Sequence, residues 1–274
     1  MDHVKSLFIV VAIYLLVQGI GLWISWTGPG EEEKGIVEVV KEGEILPPAV
    51  EDPEDPISSL QIFLYVVVMT GVILILLKHN LGIIIKIFVL LGLLGGLSIT
   101  FCGLIGWGVG FFIALPLFLF GILKREDMLV MNIILLFTIP GIGSWLGASL
   151  AFIPSLILLI GLAVYDIIAV FGTKHMVKLA EGAKGKIPMM FTIPVEDRYL
   201  GLGTGDLAIP LVFSVSVLRD YGMMNAVAAS LGGCLGLIIL FLYVLNKKDV
   251  TLPALPPIAM GLILGFGIGL ILYP

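Results

Sequence analysis

The sequence predicts an all-α, polytopic membrane protein of nine transmembrane helices. Three observations carry that prediction. Of the 274 residues, 59% are hydrophobic and only 13% charged, with a mean hydropathy of +1.16, whereas a soluble domain carries about 25% charged residues. Apolar runs near the ~20 residues needed to cross a bilayer recur along the whole chain. The basic residues, finally, segregate to alternate connections between those runs.

Nine spans follow in order, at about 4–26, 58–77, 82–102, 105–123, 129–149, 152–173, 199–218, 223–245 and 254–273. The first has the look of a signal peptide. Its apolar run is too long, however, and lacks a small-residue cleavage site, so it is read as a retained span. The joints near Gly103–Gly106 and Gly147–Pro154 are short. An odd span count puts the N-terminus and the even-to-odd connections on one side, which then holds twelve of the 15 Lys and Arg. Lys34, Lys41 and Arg219 fall on the other. This positive-inside bias places the N-terminus in the cytoplasm and the C-terminus outside, in a multi-pass protein of the cell membrane. The whole chain, 1–274, is one transmembrane domain.

Two connections are long. Residues 27–57 carry ten of the 20 acids and five prolines and read as a solvated, mostly flexible extracytoplasmic loop. Residues 174–198 read as a cytoplasmic loop that opens with an amphipathic continuation of the sixth span, "KHMVKLAEG". Cys102 and Cys234 lie in apolar runs, as packing residues. Glycine, at 34 residues, lies mostly inside the spans, where it permits close helix packing.

Almost every acid falls in a loop or at a span end. The exceptions are Asp166 and Asp206. A bare carboxylate in hydrocarbon costs at least roughly 2.5–3.5 kcal/mol, so each needs a reason to be there. Asp166 lies eight residues before Lys174, and Asp206 eight residues after Arg198. If both stretches are helical, each carboxyl sits about 12 Å from the same border, and antiparallel spans bring the two face to face. Carboxyls sharing a dry site cannot both ionise cheaply, so one keeps its proton. Such a pair is an acid and a base together, able to activate water and to protonate a leaving amide. It equally suits a proton relay in a transporter or cation-conducting pore, or a proton-shared pair that only joins two helices.

The flanking residues add irregular backbone at the same depth. Gly203 and Gly205 precede Asp206 and let the chain unwind there. Pro253, Pro256 and Pro257 remove backbone donors where the ninth span begins. Two stretches, 187–195 and 252–257, read as segments poorly ordered alone that pair with an extended chain by strand addition.

Three motifs now line up. Tyr165-Asp166 on span six, Gly203-Thr204-Gly205-Asp206 on span seven and Pro253-Ala254-Leu255 on span nine resemble the YD, GxGD and PAL motifs of the presenilin and signal-peptide-peptidase family. A chance GxGD is expected about 0.14 times in a chain of this composition, so the combination in order is what carries weight. Thr204 departs from the leucine common in presenilins. The short loops resemble a compact microbial or archaeal presenilin homologue. The resemblance implies that Asp166 and Asp206 are the catalytic residues of an intramembrane aspartyl protease. The remaining motif residues would surround them and position substrate. It further implies hydrolysis of peptide bonds in transmembrane protein or peptide substrates within the lipid bilayer, with no metal, no cofactor and no nucleic acid. Nothing in the residue pattern specifies an oligomeric state. A prepilin or preflagellin peptidase also uses GxGD, but with fewer spans and no PAL segment.

Other membrane proteases fit poorly. His3, His79 and His175 lie at span ends, leaving Ser144 without a buried histidine partner, and no HExxH occurs.

Overall fold

The computed structural model describes residues 3–27, 34–79, 81–173, 190–195, 198–245 and 252–274. Ten α-helices form among them: α1 (His3–Trp26), α2 (Ile36–Glu42), α3 (Pro56–Lys78), α4 (Gly82–Ile105), α5 (Gly110–Leu123), α6 (Met128–Ala148), α7 (Phe152–Ile167), α8 (Gly205–Tyr221), α9 (Met223–Leu245) and α10 (Leu255–Leu272). A π-helical segment, Ile168–Thr173, continues α7. Strands β1 (Met190–Val195) and β2 (Arg198–Gly203) pair antiparallel. Apart from the short α2, the helices are the nine expected spans. Seven of these nine regions are long and apolar enough to cross a membrane, while α5 and α8 are shorter, with 14 and 17 residues.

Burial orders the bundle. In the apolar windows of α3 and α4 only 17% and 22% of residues are buried, against 50% in those of α6 and α7. The first pair lies at the periphery and the second nearer the centre. The outer faces are apolar, with Phe8, Leu64, Ile83, Phe112 and Leu264 exposed, as hydrocarbon requires. The innermost helix is α8. Every residue from Leu211 to Leu218 is buried, and the helix packs against α1, α6, α7, α9 and α10. Leu211 reaches the backbones of both Gly21 and Gly143, where any side chain would collide with it. The Ser144 hydroxyl donates to the Gly21 carbonyl across the same contact at 2.9 Å.

The joint between α6 and α7 leaves helix-end groups that need partners. The end of α8 and the outer loop supply them. Arg219 Nη1 donates to the Ala148 carbonyl at 3.2 Å, and Asp220 Oδ2 accepts from the Phe152 N–H at 2.7 Å. The Ala151 N–H donates to Pro53 O, the Ala49 N–H to Ser149 Oγ, and the Trp145 indole N–H to Pro47 O. Residues 34–55 are therefore docked onto the bundle and not merely solvated. The acids mislead here because the stretch also contains Ile36, Val37, Val39 and Val40, all buried in α2.

Two further expectations change. Residues 199–203 read as the start of a helix but belong to β2, and the helix begins at Gly205. Residues 190–195 read as disordered without a partner but are already paired with β2, Met190 opposite Gly203 through Val195 opposite Arg198. Phe191, Ile193 and Leu202 are buried, so an apolar face holds the pair in place. The amphipathic continuation expected after residue 173 lies outside the described residues.

The tightest helix pair is α9 with α10. Gly232 and Gly236 on one helix face Gly261 and Gly265 on the other, the small-residue spacing that lets backbones touch in membranes. A Cβ on Gly265 would stand 3.0 Å from Gly232 Cα, and one on Gly236 would meet the Pro257 carbonyl and lie 3.0 Å from Ile258 Cα. Gly236 thus sets the seat of the first turn of α10. Gly236→Val should cost about 1–3 kcal/mol by overpacking, read as a lower unfolding midpoint in detergent. Gly95→Ala, on α4 with nothing within 4 Å, should leave the midpoint unchanged or slightly raised.

Candidate active site

Asp166 is the penultimate residue of α7 and is buried. The chain passes directly from α7 into the π-helical turn, a form of helix found mostly as single turns at functional sites. The Asp166 carboxylate oxygen Oδ2 accepts the Leu255 N–H at 3.1 Å, and the Ala254 backbone also interacts with the same carboxyl.

That bond follows from how α10 starts. The first four N–H groups of a helix have no partner within it. In α10 the second and third helical residues are Pro256 and Pro257, which have no N–H and fit a first helical turn. Leu255, the first residue, keeps its amide, and Asp166 is its acceptor. The 252–257 segment is accordingly less irregular than expected: only Leu252, Pro253 and Ala254 stay out of the helix. The Leu255 amide, within the stretch expected to pair with an extended chain, is already engaged by Asp166.

Asp206 lies in the first turn of α8, at its positive dipole end. Two features explain its setting. Gly203 ends β2, and a Cβ there would stand 2.9 Å from Asp206 Oδ2, so a side chain would crowd the carboxyl. The Gly203 backbone also interacts with that carboxyl. Thr204 is the N-cap residue, with αR geometry and no side-chain cap. Gly205 has no atom within 4 Å of where a Cβ would be, so no packing demand for glycine is visible there. The Asp166 and Asp206 carboxyls are within electrostatic range of one another. Asp206 is brought to this depth by a route other than the one argued from sequence. Asp206 is not eight helical residues beyond Arg198; it follows an extended strand, which rises about 3.3 Å per residue against 1.5 Å for a helix.

The ring of Tyr165 does not share the carboxyl contacts of its neighbour. It packs edge-to-face on Phe63 of α3, with centroids 6.2 Å apart, and so ties α7 to the periphery of the bundle. Pro253 leads into the two amides that meet Asp166. The three features of the site are thus a carboxyl at the end of α7, a carboxyl at the start of α8, and the capped entrance of α10.

Two amide side chains near this end escaped the sequence reading. Gln18, buried on α1, donates through Nε2 to the Leu207 carbonyl at 3.4 Å, next to Asp206. Asn132, near the start of α6, holds both backbone groups of Thr192, donating to its carbonyl at 3.0 Å and accepting its N–H at 3.1 Å. The available signal was weak, since an uncharged amide inside an apolar span costs far less than a carboxylate.

The Asn132 contact also orients the strand pair. Both Thr192 groups point away from β2, and in an antiparallel ladder successive residues alternate. Phe191, Ile193 and Val195 therefore bond to β2, and Met190, Thr192 and Pro194 face outward. By the register, Tyr199, Gly201 and Gly203 present the outward groups of β2. This edge runs directly into Asp206.

Comparison with known proteins agrees with this arrangement. The family model described as signal-peptide peptidase, presenilin aspartyl protease matches residues 36–273, which includes Asp166, Asp206 and Pro253–Leu255. No curated protein matches the chain significantly. A solved structure of a presenilin family intramembrane aspartate protease in the C222 space group is similar with a TM-score of 0.66 at 24% identity, over 97% of this chain and 99% of that one. A second, in the P2 space group, gives 0.63 at 25% identity, over 96% of each chain. With a family match over most of its length and the same fold from end to end, this chain belongs to the signal-peptide-peptidase and presenilin family of aspartyl proteases.

Proposed function

We propose that the chain hydrolyses peptide bonds within or near transmembrane segments of other membrane proteins, with Asp166 and Asp206 as its catalytic dyad. The observation that carries this reading is that two span-borne carboxyls lie within electrostatic range of one another, the second at the end of a strand whose Gly201 is exposed. In the proposed cycle one carboxyl is ionised and removes a proton from water as it attacks the scissile carbonyl. The other is protonated. It donates a hydrogen bond to that carbonyl and later a proton to the leaving nitrogen. Which residue plays which part belongs to the coupled pair. The Leu255 amide holds one Asp166 oxygen in place, so that the carboxyl cannot turn away from its partner.

A helical substrate shields its amides by its own hydrogen bonds, so the segment must unwind locally. Each group freed at membrane depth costs several kcal/mol unless it finds a partner. The outward groups of Tyr199 and Gly201 on β2 are suited to that role by strand addition, and they would deliver the paired chain to Asp206. The family assignment favours hydrolysis over the proton-coupled transporter or pore that the carboxyls alone also allow. Nine span regions that are helical among the described residues, and a Pro253-Ala254-Leu255 segment, favour the presenilin arrangement over that of a prepilin peptidase. The charge bias supports a multi-pass protein of the cell membrane with its N-terminus and the 174–198 loop in the cytoplasm. It puts the acidic 27–57 connection and the C-terminus outside.

Asp166→Asn and Asp206→Asn should each abolish cleavage of a fluorogenic transmembrane peptide while the protein still inserts and unfolds cooperatively. The double variant should lose little more, because the pair acts as a unit. Substantial turnover by either single variant would sink the dyad.

Leu255→Pro removes the N–H held by Asp166, a bond of a kind worth about 1.5–3 kcal/mol. It should reduce kcat by roughly 10- to 100-fold if the bond orients the carboxyl in the transition state. Leu255→Ile keeps the amide and should stay near the parent rate. Equal rates for both would remove this role from the bond.

Cysteines introduced singly into 174–189 should react with an impermeant maleimide from the cytoplasmic face, and cysteines at Glu44 or Glu51 from the other. The reverse pattern would overturn the orientation.

A further inference from the structure

We infer that Asn132 is a positioning residue that closes one edge of the strand pair and so directs an incoming extended chain to the edge beside Asp206. The inference rests on the dyad reading above. A two-stranded sheet has two free edges, and each is a template for a third strand. Added to β2, a substrate is carried toward Asp206. Added to β1, it would lie one strand further away, with the pair itself in between. An enzyme that binds substrate by backbone pairing must therefore distinguish two chemically similar edges.

The outer edge of β1 has been made unlike that of β2. The Asn132 carboxamide has a donor and an acceptor spaced like those of a peptide group. It occupies both Thr192 groups, at 3.0 and 3.1 Å, as a neighbouring strand would. Its orientation follows from that pairing, since exchanging its oxygen and nitrogen would set donor against donor. The next outward position, Pro194, has no N–H to offer. Of two successive outward positions, one is thus occupied in full by a borrowed amide and the other keeps only its carbonyl. The corresponding positions on β2, opposite Thr192 and Pro194, are Gly201 and Tyr199. Gly201 is exposed and presents backbone with no side chain to hinder an approaching chain.

The same bonds tie β1 to α6. With Phe191 and Ile193 buried in the core at 1% and 0% exposure, the strand is anchored through a side-chain face and through an edge. A mobile strand pair would still bind extended chain, but without a constant register to the carboxyls. Asn132 is thereby linked to which bond is cut, although it touches neither aspartate nor substrate.

The test uses the full-length enzyme, a fluorogenic transmembrane peptide, mass spectrometry of the products and hydrogen–deuterium exchange. Asn132→Leu has nearly the same shape and no amide. It should raise exchange at the Thr192 amide, raise KM, lower kcat/KM by about tenfold or more, and spread cleavage over additional bonds. Asn132→Gln, which retains a carboxamide, should restore part of the parent's cleavage pattern. A purely structural role would lower the folded fraction and leave the bonds cut and the KM of that fraction unchanged, and this result overturns the proposal. Should Asn132→Leu fail to fold, Asn132→Asp decides in the same way, since it keeps the acceptor for the Thr192 N–H and loses the donor to its carbonyl. If the parent's cleavage does not depend on Asp206, the dyad reading falls and this inference with it. If cleavage does depend on Asp206 and Asn132→Leu cuts at the parent's bonds, only the role of Asn132 is lost.

Discussion

The bond from the Leu255 amide to Asp166 joins two polar groups that would each be costly alone in hydrocarbon. A helix that starts at membrane depth leaves amides unpaired, and a carboxyl there is expensive without a partner. Pro256 and Pro257 remove two of the amides from the problem, and Asp166 takes a third. Much of the bundle can be read as support for this one meeting. α9 seats the first turn of α10 through Gly236, against Pro257 and Ile258. α8 carries the second carboxyl, and its buried run from Leu211 to Leu218 fixes its rotation relative to α1, α6 and α7.

At the opposite end the same rule is met differently. There α6 stops at Ala148 and α7 starts at Phe152, and their freed groups are satisfied by Arg219, Asp220 and the docked outer loop. These partners are charged side chains and loop backbone, which suits a border with water. At the site end the described partners are proline, glycine and backbone amides. The difference leaves the two aspartates as the span-borne carboxyls, with no nearby cation among the described residues to neutralise them.

The strand pair adds a second kind of order. An extended segment beside the membrane core has exposed ladder groups, and these either bind another chain or must be covered. Asn132 and Pro194 cover one edge, while Gly201 lies on the other. The asymmetry gives the pair a direction, and that direction ends at Gly203 and Asp206.

The sequence by itself determined the membrane class and the nine span regions, and it singled out two span-borne carboxyls. All three rest on the high cost of placing charge in hydrocarbon, which makes Asp166 and Asp206 conspicuous without any knowledge of their neighbours. It also marked the 203–206 and 253–255 segments, because glycine and proline constrain the backbone locally. Tertiary structure decided what pairing across the chain decides. Residues 199–203 form a strand because Met190–Val195 lies beside them, 190 opposite 203, and an apolar run of that length is compatible with helix or strand until its partner is known. Residues 36–40 are buried because the ends of the bundle offer an apolar surface to them, a fact hidden by the acids around them. Asn132 and Gln18 drew no attention, because an uncharged amide in a span is inexpensive enough to be ordinary, and only the groups it reaches reveal its use. Which amide meets Asp166 could not be read from local sequence, since Leu255 is 89 residues away along the chain and reaches it only through the packing of α7, α9 and α10.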